Sequence, residues 1–239
     1  MFDEAVGLKK KIRDGAQVVG VSAPVDATRE RLRAILDRGP YDYVAIDSQH
    51  TPFNEERVTA FCGMAEELDA FVQFRIKHTR NAYLTGNYLD LGPCGVEVPQ
   101  TERDETVTEA LEAFYYPPAG GRSFGGRARR GAAGKDPVAY AGWWNRYGVL
   151  WMQVESVEAV THARQLAKPG VDCLSFGPID LMFSLKAHPA HPFRDMDDCV
   201  RHVARALEGT TTRVCVRNSA QDRQKYADLG ATVFLESPK

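Results

Sequence analysis

The sequence predicts an α/β fold, a (β/α)8 barrel of the TIM type, on three observations. Eight short runs rich in apolar and β-branched residues recur along the 239-residue chain. They are VVGVSAP (18–24), YVAIDS (43–48), AFVQFRI (70–76), GVEVPQ (95–100), VLWMQVE (149–155), DCLSFGP (172–178), TRVCVRN (212–218) and ATVFLES (231–237). Segments of helical period lie between most of them, and such alternation gives parallel strands joined by crossover helices. The length suits one barrel of this kind. A doubly wound open sheet is the competing layout. It usually has fewer strands and a glycine-rich first turn, and neither GxGxxG nor GxxxxGK[ST] occurs.

The elements follow in order. The opening MFDEAVGLKKKIRDG is charged and helical in pattern, without the apolar core of a signal peptide. ATRERLRAILDRG sets Leu32, Ile35 and Leu36 on one face and is expected to end at Gly39. NEERVTAFCGMAEEL starts on an Asn cap with acids in its first turn. SVEAVTHARQLAKPG runs from Ser156 to Pro169-Gly170, and SAQDRQKYADLG from Ser219 to Gly230. Residues 115–147 form a long Gly- and Arg-rich insertion between the fourth and fifth strands, and 1–239 reads as a single domain. Trp143 and Trp144 are expected to pack that loop down. The chain stops right after the eighth strand, which leaves no room for a last outer helix; the N-terminal helix or a neighbouring subunit is expected to cover the gap.

Composition narrows the function. Thirty basic and 32 acidic residues give a net charge of −2, so neither nucleic acid nor a membrane is expected as partner. No apolar run reaches the ~18 residues of a membrane span. Five scattered cysteines without a CxxC fit a reducing compartment, and the expected location is cytoplasmic.

Barrel active sites form at the carboxyl ends of the strands. Strand two ends in Asp47, Gln49 and His50; strand three in Arg75 and Lys77; strand five in Gln153 and Glu155; strand six in Gly177, Pro178 and Asp180. Core packing gives no reason for four strands to end this way. Glu155 and Asp180 make a hard oxygen site suited to Mg²⁺ or Mn²⁺, with Co²⁺ a third choice. The plainer account is a helix-dipole acid and a turn cap; with Gln153 beside them, the metal is favoured. Arg75 suits a carboxylate or enolate oxygen, and an ion pair with Asp47 or Asp90 is compatible with that. His50 has the intrinsic pKa of a general base, with Asp47 placed to orient it or Arg75, although a lone histidine is more often a surface residue. In AHPAHP, His188 and His191 read as a loop rather than a zinc site. Arg122, Arg127, Arg129 and Arg130 read as loop charges, Arg122 being the one expected to face the site.

DSQHTPFN, FRI, YPPAGGRSFG, MQVES and FGPIDL occur in the order and spacing of the HpcH/HpaI family, the class II, metal-dependent pyruvate aldolases, and the chain resembles a divergent member. The resemblance implies a pyruvate-type barrel and an aldolase or carbon–carbon lyase acting on a 4-hydroxy-2-oxo acid through a pyruvate enolate, with an aldehyde partner and a homo-oligomer. It implies Glu155 and Asp180 as metal ligands and Arg75 as the enolate stabiliser. His50 with Asp47 becomes the base, and Gln153, Gly177 and Pro178 become the pyruvate pocket. Asp90, Gln49 and Arg122 fall in supporting or interface positions. The departures are Gln49 for the family's Glu, Glu97 within VEVPQTE, and Ser123 after Arg122. They motivate an alternative, an oxaloacetate decarboxylase or citrate-synthase-like condensing enzyme. A non-catalytic 2-oxo-acid-binding protein is the third reading.

Overall fold

A computed structural model describes residues 4–238. All eight expected strands form: β1 Val18–Ser22, β2 Tyr43–Asp47, β3 Phe71–Arg75, β4 Gly95–Val98, β5 Val149–Val154, β6 Cys173–Phe176, β7 Arg213–Asn218 and β8 Val233–Glu236. They pair in parallel in sequence order, and β8 closes on β1 through Val18↔Val233 to make a barrel.

Period-two alternation divides the apolar residues into two cores. Val44 and Ile46 pack outward with Phe74, Val96, Leu150 and Phe234 against the helices. Tyr43 and Ala45 point into the lumen with Phe71, Trp151, Cys173, Cys215 and Leu235. Space for the lumen rings comes from small neighbours. A Cβ on Gly20 would sit 2.2 Å from the Tyr43 ring.

Capping works as expected in two helices. Asn54 accepts from the Arg57 amide at the start of Glu55–Glu67, and Ser156 from the Ala159 amide at the start of Val157–Thr161. Other boundaries differ. The helix Arg29–Leu36 is capped by Asp37, short of Gly39, which does not take a left-handed φ. His162 breaks the 156–170 segment into Val157–Thr161 and Ala163–Leu166. Ser219 does not start its helix, which spans Arg223–Asp228; its hydroxyl and carbonyl instead bond Asp222 and close a turn. In the 115–147 segment Pro137–Tyr147 is helical, started by the Asp136 side chain. Trp144 is buried there and donates to the Phe114 carbonyl.

The N-terminal helix Gly7–Arg13 plugs the amino end of the barrel. Leu8 and Ile12 enter the lumen core. Lys9, on the same helix, is fully buried, and its Nζ donates to Asp172 at 2.8 Å, to the Tyr115 hydroxyl at 2.7 Å and to the Gly148 carbonyl. Asp172 also accepts from Arg13 Nε and the Leu150 amide, both at 2.9 Å. Burial, aided by the Arg13 charge, lowers the Lys9 pKa to about 8 despite Asp172.

Candidate active site at the carboxyl ends of the strands

The inward parity that puts Tyr43 and Phe71 in the lumen puts Asp47 and Arg75 at its mouth, in register with one another. Arg75 Nε and Nη2 each donate to one oxygen of Asp47 at 2.7 Å, a bidentate pair, and Nη1 reaches Gln153 Oε1 at 3.3 Å. Gln153 Nε2 in turn donates to Glu155 Oε2 at 2.7 Å. The other Glu155 oxygen accepts the Gln100 amide at 3.0 Å, and Gln100 takes a left-handed φ of 46° to present it. Strands β2 to β5 are thus tied at the mouth by one chain of hydrogen bonds.

The charges are set by this chain. Burial alone would raise the Asp47 carboxyl, but the Arg75 hydrogen bonds and charge outweigh it and hold the group below the usual carboxylate range. Glu155 goes the other way. Burial, then the nearby Asp180 and Glu97 charges, raise it to about 7. Asp180 lies in the first turn of Pro178–Ala187, the helix that Gly177 caps. A Cβ on Gly177 would fall 2.0 Å from Glu155 Oε2 and 2.6 Å from Gln153 Nε2, so any larger residue must displace these two side chains. Gly177→Ala is expected to leave the fold in place and to lower activity by about 10²-fold through displacement of Glu155. Steady-state rates beside a thermal melt check this.

Not every expected residue joins the set. Asp47 meets His50 only through the His50 backbone N–H; its carboxylate is committed to Arg75, and the His50 ring is exposed. Gln49 Oε1 is buried without a partner. Lys77 is exposed. Arg122 pairs with Asp90 at 2.8 Å between the Tyr116 and Trp144 rings and lines a separate cavity. Within this chain the two rings and Asp90 hold its guanidinium, and it does not line the mouth cavity. Arg129 lies over Phe124, and Arg130 bonds the Ala70 carbonyl and Asp69. His188 and His191 bond the Ser184 carbonyl and the Thr161 hydroxyl.

Other groups belong here that the strand-end reading passed over. A cavity of about 350 Å³ at the mouth is lined by Ser22, Asp47, Thr51, Gln73, Arg75, Glu97 and Arg217, among others. Gln73 and Glu97 share the inward parity of Arg75, and Arg217 lies one residue before the end of β7. A polar residue at an inward position of an apolar strand was the available signal.

The fold and mouth define a (β/α)8 barrel whose lumen opens on a buried carboxylate and a clamped arginine. Residues 25–234 match the HpcH/HpaI aldolase/citrate lyase family, and the chain belongs to it. It is 29% identical over 205 residues to the hydroxypyruvate/pyruvate aldolase of Chromohalobacter salexigens, covering 82% of this chain and 78% of that protein. It is also 29% identical over 163 residues to a 2-dehydro-3,6-dideoxy-6-sulfogluconate aldolase of Pseudomonas putida, covering 64% and 60%. The HpcH/HpaI aldolase structure from Desulfitobacterium hafniense superposes with a TM-score of 0.85 at 26% identity, over 98% of this chain and 90% of that one. The kinship supports an enzyme of the aldolase or lyase type.

The donor set fits a hard divalent cation. Glu155 is held near pH 7 by burial and by Asp180, a repulsion that a cation between the two would relieve.

Proposed function

We propose that the protein is a divalent-metal-dependent aldolase that cleaves or forms 4-hydroxy-2-oxo acids through a pyruvate enolate. The observation that carries this is the continuous Asp47–Arg75–Gln153–Glu155 hydrogen-bond chain, whose Asp47 and Arg75 line the mouth cavity. Relatives that are pyruvate aldolases by name support the donor.

Glu155 and Asp180 would hold the cation. When bound, it supplies Lewis-acid polarisation of the 2-oxo group. The remaining work falls to the chain's own groups. Arg75, locked in one orientation by Asp47, directs its N–H groups at the oxygen that becomes negative as the C3–C4 bond breaks. Gln153 fixes the third side of that guanidinium. The Gly177 amide is taken by the Val154 carbonyl, so the substrate carboxylate falls to the amides that follow Pro178. Asp47, engaged at both oxygens and held ionised, is a positioning residue. His50 is free to take the C4 hydroxyl proton in cleavage and return it in synthesis. Among the described residues a Schiff-base route has no lysine in place: Lys77 is exposed, and Lys9 lies at the opposite end of the barrel.

Exchange of pyruvate methyl protons with deuterated solvent tests the reading. Exchange that needs Mg²⁺ or Mn²⁺ and stops with EDTA is expected. No metal-dependent exchange, with no pyruvate released from any 4-hydroxy-2-oxo acid, would sink it. Arg75→Ala is expected to lower the exchange rate by 10²–10³-fold, about 2.7–4 kcal/mol, as for loss of one oxyanion donor.

A further inference from the structure

The wall of the mouth opposite Arg75 carries a second clamped arginine. In the closed eight-strand order, β7 lies across the lumen from β3. Arg217, near the end of β7, donates from Nη2 to Glu97 Oε2 on β4, so the ion pair spans the lumen. Glu97 is 1% exposed at its side chain, whereas Arg217 keeps 23%. Glu97 thus holds Arg217 from the buried side and leaves the guanidinium on the cavity, the arrangement in which Asp47 holds Arg75.

We propose that Arg217 is an anion-binding group for the far end of the substrate, taking a carboxylate distal to the 2-oxo acid, so that the site favours dianionic substrates. The proposal rests on the aldolase reading above and adds its substrate class.

Three observations carry it. Arg217 lines the mouth cavity together with Arg75 and also an adjoining cavity of about 560 Å³, so one chain of atoms can run from Arg75 past Arg217. Among the described residues, the polar groups that line the adjoining cavity beside Arg217 are Ser22, Asn218, Ser219, Gln221 and Ser237, hydroxyls and amides with no acid to compete for the guanidinium. The pair is also incompletely satisfied: Arg217 Nε and Glu97 Oε1 are buried without partners. An ion pair present only to fill the lumen stabilises when its remaining donors and acceptors are met, which is not so here. The planar fork of a guanidinium matches a carboxylate, and the Glu97 side chain that holds it is 1% exposed against 23% for Arg217.

Isothermal titration with Mg²⁺ present tests this with 2-oxoglutarate and 2-oxopentanoate, equal in chain length and differing only in a terminal carboxylate against a methyl. Wild type is expected to bind 2-oxoglutarate about tenfold more tightly, a difference of about 1.4 kcal/mol. Arg217→Gln is expected to bring the ratio near one, and Arg217→Lys to restore most of it. If Arg217→Gln does not fold, the Glu97→Leu/Arg217→Leu double variant removes the pair without stranding a charge, and the same loss of preference is expected. Equal affinities in wild type, or a preference that survives removal of Arg217, overturn the subsite. If wild type shows metal-dependent pyruvate exchange with equal affinities, only the subsite falls. If it shows neither exchange nor binding, the aldolase reading falls with it.

Discussion

Asp172→Ala is expected to destabilise the fold by roughly 3–5 kcal/mol, the range for removing one partner of a buried ion pair. Asp172 is fully buried and meets three donors at once: Lys9, Arg13 and the Leu150 amide. Its loss leaves Lys9 charged inside the barrel floor, with only the Tyr115 hydroxyl and the Gly148 carbonyl as acceptors. The pH dependence follows from Lys9. Its pKa is about 8 in the fold against an ordinary 10.5. Between those values the unfolded chain binds more protons, so the Lys9 contribution to stability rises with pH. Without Asp172 the Lys9 pKa falls further, and the variant's deficit is expected to shrink as pH rises from 7 through about 8 and to level off above it. Urea melts across that range measure it. A deficit below about 1 kcal/mol at pH 7 would show that the lysine finds water or another acceptor, which would make the pair nearly neutral to the fold.

That network also marks the limit of what sequence could reveal. The barrel was legible because each strand is a compact apolar run and each crossover has helical period. Asp47, Arg75, Gln153 and Glu155 were legible because they break such runs at one end. Lys9 was not. In GLKKKIR it is one lysine of three, and its burial depends on an aspartate 163 positions away. Arg217 and Gln73 escaped for a related reason. Each is a single polar residue within an apolar strand, and only closure of the barrel brings β3, β4 and β7 around one cavity. The Asp47 partner was ambiguous for a different reason. His50 and Arg75 both lie within reach in sequence and register, and the bidentate guanidinium wins because it engages both carboxylate oxygens. Gln49 shows the reverse case. Its place in the DSQHTPFN motif was plain, but that its Oε1 would lie buried without a donor was not.

Glu155→Gln is expected to abolish metal-dependent turnover, a loss of about 10³-fold or more if Lewis-acid polarisation contributes several kcal/mol. The same substitution is expected to stabilise the metal-free protein at pH 8. Glu155 is nearly buried, and burial with the Asp180 and Glu97 charges raises its pKa from 4.5 to about 7. For an acid raised in this way the folded chain binds more protons than the unfolded one between pH 4.5 and 7. The Glu155 contribution is therefore fully present below pH 4.5 and is lost as pH rises through 7, on the order of 3 kcal/mol. Glutamine carries no charge and escapes that loss while keeping an oxygen for the Gln100 amide. A cation relieves the repulsion by another route, so Mg²⁺ or Mn²⁺ is expected to raise the wild-type melting temperature more at pH 8 than at pH 6, and to leave Glu155→Gln unmoved at both. Thermal melts with and without metal separate these effects from catalysis. A metal-induced shift of equal size in wild type and variant would remove Glu155 from the metal site, and the lost turnover would then have to come from Gln153 and Arg75, which Glu155 helps to hold in line.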